Sequence, residues 1–112
     1  MKFIPVILES PYAGDVMENI KYAQTCMKDM LKRGEAPFAS HLLYTQVLDD
    51  TRANERARGI EAGFAWKPYA YKTIFYIDRG WSKGMRLALE YCHQNGIAFE
   101  VRNLYPLEGE TK

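Results

Sequence analysis

Apolar and polar positions follow two different periods along the chain. Phe3-Ile4-Pro5-Val6-Ile7-Leu8 is a continuous apolar run that stops at Ser10-Pro11. It predicts a short strand buried on both faces, with Pro5 near its start because proline cannot donate to a ladder. From Asp15 the period lengthens: Val16, Ile20, Ala23, Met27, Met30 and Leu31 recur at helical spacing, with Glu18, Lys21, Lys28 and Lys32 between them. Gly14-Asp15 opens that helix and Gly34 closes it. Ala36-Pro37-Phe38-Ala39 predicts a brief second strand, while residues 40–50 show no clean period and read as a long functional loop with a helical turn. Residues 54–65 predict a second helix, with Ala57, Ile60 and Phe64 on one side and Pro68 ending it. Thr73-Ile74-Phe75-Tyr76-Ile77 is the clearest strand. A third helix, capped by Ser82 and ending before Gly96, points Met85, Ala88, Leu89 and Cys92 inward, and residues 98–102 form the last strand. Phe64, Phe75 and Phe99 are expected in the core.

Four strands alternating with three helices predict a parallel sheet with helices on both faces and right-handed crossovers. The expected architecture is a three-layer α/β, flavodoxin-like (Rossmann-like) domain with strand order 2-1-3-4. Residues 1–107 form this single domain and residues 108–112 a frayed tail.

Composition narrows the function classes. The 112 residues are 47% hydrophobic and 26% charged, ordinary globular values. Fifteen Lys+Arg against fourteen Asp+Glu leave a formal charge of +1, which argues against a nucleic-acid binder. No apolar run reaches the ~18–20 residues of a membrane span, and Glu9 interrupts the opening segment before it can serve as a signal peptide. Cys26 and Cys92 fit no zinc or redox spacing and fall on inward helix faces. A reduced, cytoplasmic protein without metal or cofactor is expected.

In an open parallel sheet, ligands bind beyond the carboxyl ends of the strands. Four polar segments follow those ends here: Ser10 to Asp15, Ser40-His41 onward to Asp49-Asp50, Asp78 to Gly84, and Arg102-Asn103. Their shared rim is the functional signal. Ser82-Lys83-Gly84 opens a helix, where free N–H groups and the positive dipole end favour an anion; Ser82 is equally an ordinary N-cap. The patterns GxGxxG and GxxxxGK[ST] are both absent, so nothing points to a dinucleotide or an NTPase. Asp78 reads as a hydroxyl or base acceptor, or as a turn residue. His41 reads as a phosphate contact, an acid/base near neutral pH, or a hydrogen-bonded structural histidine. Asp49 and Asp50 are candidate acids, base contacts or caps, and their adjacency prevents a ready dyad. Tyr12, Tyr44, Trp66 and Trp81 offer faces for stacking on a base.

SPYAGD, PFASHLLYTQVLDD, the Glu55-Arg56, Gly59-Ile60 and Gly63 pattern, SKGM and NGIAFEVR together resemble the nucleoside 2-deoxyribosyltransferase-like superfamily. The nearer likeness is to a small branch of bacterial and phage proteins. The resemblance spans about residues 3 to 104. It implies a flavodoxin-like fold, a homodimer or larger assembly, no metal, and cleavage or transfer of the N-glycosidic bond of nucleosides or their monophosphates. It also implies Ser10, Tyr12 and Gly14 against base and sugar, and Ser82 and Gly84 on a phosphate. The superfamily's nucleophile is a Glu four residues past the Gly of Ser-x-Gly, forming a covalent glycosyl intermediate. Four residues past Gly84 stands Ala88, and Glu90 is some 200° away around the helix at about 100° per residue.

The expected protein is therefore a nucleotide-type binder that keeps the pocket, with Ser10, Tyr12, Gly14, His41, Asp78, Trp81, Ser82 and Gly84 on the ligand, and lacks the nucleophile. In a phage setting it would sequester a nucleotide-derived signal in the host cytoplasm. One alternative is an N-glycoside hydrolase that activates water with Asp78, Asp49 or Asp50. The other is a protein-interaction module.

Overall fold

The computed structural model describes residues 2–105; the end of the expected domain and the expected frayed tail at residues 108–112 lie outside the described residues. The chain runs β1 (Ile4–Glu9), α1 (Val16–Lys32), β2 (Glu35–Phe38), α2 (Ser40–Leu43), a 3-10 turn (Tyr44–Gln46), α3 (Ala53–Phe64), a second 3-10 turn (Lys67–Tyr69), β3 (Thr73–Tyr76), α4 (Lys83–Asn95) and β4 (Phe99–Arg102). All strands pair in parallel in the order β2-β1-β3-β4. The fold is the flavodoxin-like α/β sandwich expected from the alternation of periods.

Local chemistry explains the boundaries. Asp15 caps α1 by accepting from the Glu18 N–H at 3.3 Å, and Ser82 caps α4 by accepting from the Met85 N–H at 3.2 Å. Gly96 ends α4 in the left-handed region at φ 63°, where a side chain would be strained. Pro37 sits within β2, which is tolerable because β2 is an edge strand.

Period-two alternation in the sheet divides the core. Val6, Leu8, Ile74 and Tyr76 meet Tyr22, Ala23, Cys26 and Met30 of α1 on one face. Phe75 meets Met85, Ala88 and Cys92 of α4 on the other, with Phe64 of α3 packed alongside. Both cysteines are buried and reduced, and burial pushes the Cys26 thiol up to about 12.

Three expectations need correction. Phe99 is 37% exposed, because β4 is the other edge: its ring meets only Phe75 edge-on at 6.1 Å and His93 edge-on at 5.3 Å among the aromatic rings of the described residues. Ile4 is also exposed, so β1 is doubly buried only from Val6 to Leu8. Arg102 does not join the functional rim. It is buried, forks onto Glu35 at 2.9 and 3.0 Å, and donates to Glu100 and to the Tyr76 hydroxyl. Hydrogen bonding from Arg102, with Lys72 on the other carboxylate oxygen, holds the Glu100 carboxyl at about 2. This network ties β4 to the start of β2.

Candidate functional site

A cleft opens beyond the carboxyl end of β1. Its floor carries Glu9, Ser10, Tyr12 and Ala13; one wall comes from α2 and the turns after it, a second from α3, and the last from the start of α4. The enclosed space is about 80 Å3. Pockets for drug-sized ligands span about 300–1,000 Å3, so a ligand of that size would lie partly in the open mouth.

The α3 pattern singled out in the sequence builds the outer wall. Glu55 accepts the Asp49 N–H at 2.7 Å, and Arg56 donates to Asp50 at 2.9 Å, so the first turn of α3 holds the preceding loop. Gly59 and Gly63 then let that loop approach the helix. A Cβ on Gly63 would lie 2.4 Å from Ser40 Oγ and 2.8 Å from Ser40 Cβ, and one on Gly59 would touch Leu48 at 3.4 Å. Ser40, Tyr44 and Leu48 line the cleft because these two glycines admit them.

The first loop is held from behind. The Asn19 amide donates to the carbonyls of Tyr12 and Ala13 at 3.0 and 3.1 Å, and its oxygen accepts from Arg79 Nε at 2.8 Å. One buried side chain of α1 therefore couples the β1–α1 loop to the β3–α4 loop.

At the floor, Ser10 Oγ and His41 Nε2 are 2.7 Å apart. Burial pushes the His41 imidazole below its ordinary range; the nearby Glu9 carboxylate opposes this and the Lys67 ammonium reinforces it. The ring is therefore neutral at neutral pH and offers hydrogen bonds rather than charge. His41 Nδ1 is buried without a partner among the described residues.

Beside this pair lies a carboxylate that sequence reasoning passed over. Glu9, the last residue of β1, faces the cleft with its side chain 14% exposed. Its Oε2 accepts from Lys67 Nζ at 2.6 Å, and the Lys67 side chain is fully buried. Lys67 also lies 5.5 Å from the Phe64 ring centroid and 3.5 Å from Thr73 Oγ1. Glu9 Oε1 has no protein partner among the described residues. The local signal was slight: a Glu closing an apolar strand, and a Lys just before the Pro68 that ends a helix.

The α4 end of the cleft is open. An added Cβ on Gly84 would meet only Ser82 Oγ, at 4.0 Å. The Ser82 hydroxyl is spent on capping. The N–H groups of Lys83 and Gly84, in the first turn of α4, have no acceptor among the described residues.

Of the site candidates named from sequence, Ser10, Tyr12, His41, Tyr44, Asp50, Ser82 and Gly84 therefore share one cleft. Gly14, Asp49, Trp66, Asp78 and Trp81 do not line it. Asp78 turns toward α1 and the end of β4, accepting from the Tyr22 hydroxyl at 2.5 Å and from the N–H groups of Leu104 and Tyr105 at 2.8 and 3.0 Å. Burial works against ionisation of Asp78, yet those donors together hold its carboxyl below the usual range. It organises a turn, and its carboxylate is already engaged. Asp49 is exposed and caps Thr51 through N–H and hydroxyl at 3.0 and 2.6 Å. Trp81 packs on Phe75 at 5.2 Å between ring centroids. Trp66 is half exposed and donates to the Tyr44 hydroxyl at 3.0 Å. Gly14 serves the entry to α1 with φ 99°. Ala88 is fully buried against Phe75, Met85 and Cys92, so its methyl belongs to the core beneath the floor.

Residues 4–102 match the model of a domain family of unknown function, DUF7768. The chain belongs to the DUF7768 family. Its fold is shared by a solved structure described as a 2-deoxyribosyltransferase from the psychrotolerant bacterium Bacillus psychrosaccharolyticus, a biocatalyst for the industrial synthesis of antiviral and antitumoral nucleosides. The likeness has a TM-score of 0.67 and covers 96% of this chain and 76% of the other, at 15% sequence identity. None of the curated proteins matches the sequence. The cleft of this DUF7768 domain thus lies on a deoxyribosyltransferase-like fold, and its chemistry rests on its own residues. Among the described residues no helix is long and apolar enough to cross a membrane.

Proposed function

We propose that the cleft binds a nucleoside phosphate or a signal molecule derived from a nucleotide. The observation that carries this reading is the pairing of two unlike ends in one cleft. At one end is the first turn of α4, where Ser82 and Gly84 line the cleft and the open Gly84 N–H suits a phosphate at the positive end of the helix dipole. At the other are Ser10, Tyr12 and Glu9, which suit the hydroxyls and flat face of a nucleoside. The remaining charges favour a modest ligand charge. Arg56 is neutralised by Asp50 and Lys67 by Glu9, so the phosphate relies on backbone amides, and a monophosphate fits better than a triphosphate. The shared fold with a deoxyribosyltransferase supports the same class of ligand. With alanine at residue 88, this reading is one of holding the ligand rather than turning it over.

A second reading, cleavage of the N-glycosidic bond, is favoured by one observation: Glu9 presents a carboxylate oxygen to the cleft. Glu9 would take a proton from water as that water bonds to the anomeric carbon, and the base would leave with the bonding electron pair and take a proton from solvent.

A thermal-shift screen with ribo- and deoxyribonucleosides, their 5′-monophosphates and cyclic nucleotides tests both readings, together with chromatography for released base. A melting temperature raised by at least one nucleotide with no free base supports the binder. Free base that disappears in Glu9→Gln supports the hydrolase. No shift and no base with any compound removes both.

A further inference from the structure

We infer that Glu9, braced by the buried Lys67, is the sugar-reading group of the cleft and makes it select a ribose over a 2-deoxyribose. The inference rests on the nucleoside-phosphate reading above and adds the part of the ligand that the cleft distinguishes.

An ionised carboxylate is acceptor-only, so its free oxygen calls for a ligand that brings donors. A phosphate brings none and would be repelled. The 2′- and 3′-hydroxyls of a ribose bring two, adjacent and on one side of the ring. Glu9 is placed for such a diol by three features. It closes β1, where it pairs with Phe75 of the central strand β3. Its Oε2 is pinned by Lys67 Nζ at 2.6 Å, which leaves Oε1 as the acceptor in the cleft. The next side chain, Ser10, is locked to His41 at 2.7 Å, so its hydroxyl stands alongside as a further hydrogen-bonding group. A group held this way is pre-organised, and a ligand that meets it need not order it.

The placement also separates the two ends of the ligand. The carboxylate lies at the end of β1 and the open amides at the start of α4, so the donor-rich sugar and the anionic phosphate each meet groups of suitable polarity. A sugar without the 2′-hydroxyl leaves this acceptor, largely screened from solvent, without that donor. Sites built to hydrogen-bond a hydroxyl discriminate strongly against the analogue lacking it.

Calorimetric titration of the intact protein with the four 5′-ribonucleoside monophosphates and their 2′-deoxy counterparts tests the inference. At least one ribo form is expected to bind about tenfold or more tightly than its deoxy partner. In a Glu9→Leu, Lys67→Met double variant, which removes the acceptor and leaves no buried charge unpaired, the two forms are expected to bind equally. Nucleotides that bind the wild-type protein without regard to the 2′-hydroxyl overturn the sugar-reading role and leave the nucleotide cleft standing. So does discrimination that survives in the double variant. Failure of every nucleotide of either sugar to bind overturns the nucleotide reading and this inference with it. If the double variant does not fold, the wild-type comparison alone still decides.

Discussion

Replacing Lys67 by alanine is expected to lower the unfolding free energy by about 3–5 kcal/mol, the usual loss when one partner of a buried ion pair is removed. The side chain is fully buried, its strongest contact is the 2.6 Å bond to Glu9, and nothing else near Glu9 replaces that charge. A Glu9→Leu, Lys67→Met double variant should recover most of the stability, since apolar replacement of a whole buried pair is often close to neutral. Urea unfolding of the two single variants and the double variant completes the cycle. A Lys67→Ala protein as stable as the parent would show that the pair does not brace the floor of the cleft.

Ala88→Glu is the second large effect, and it separates two ideas about this fold. If the domain were a transferase that had only lost its nucleophile, a glutamate at residue 88 would restore glycosidic chemistry. Ala88 is fully buried against Phe75, Met85 and Cys92. A carboxylate there is enclosed in the core, and helical side chains lean back over the preceding turn, here Gly84 and Met85. The expected outcome is a loss of about 3 kcal/mol or more, with no base released. The sign with pH is set by the buried acid. Its folded pKa is raised, so the penalty is smallest below the unfolded value of about 4.3 and grows as pH rises through it. Ala88→Leu isolates the charge from the volume, because overpacking alone costs about 1–3 kcal/mol. Base release by a stable Ala88→Glu protein would show that the helix can present a nucleophile after all.

Legibility followed the range of the interactions involved. The periods of β1, α1, β3 and α4 are local, and each element formed within a residue or two of its expected place, as did the strand order that follows from them. The segment 40–50, expected as a long loop with a helical turn, contains α2 and a 3-10 turn, each too short for periodicity to resolve. The glycines of α3 were visible as a pattern, but the reason for them, a close approach of Ser40, appears only in three dimensions. Glu9 and Lys67 are 58 residues apart, and neither position has a local period that announces a pair. Asp78 misled for the opposite reason. It stands just past a strand end, as a ligand-binding carboxylate would, yet its oxygens are taken by the Tyr22 hydroxyl and by two N–H groups beyond β4. Trp81 likewise stands in the expected loop and packs inward on Phe75.

The most direct measurement is an amide proton–nitrogen correlation spectrum recorded while a 5′-nucleoside monophosphate is added. If the cleft holds the nucleotide with its phosphate at the start of α4, the amide resonances of Lys83 and Gly84 move most, together with those of Ser10, Tyr12 and His41. Resonances along β4 and the far end of α1 stay in place. A spectrum unchanged by every monophosphate, or one in which the moving resonances lie away from residues 82–84 and 9–13, contradicts nucleotide binding in this cleft.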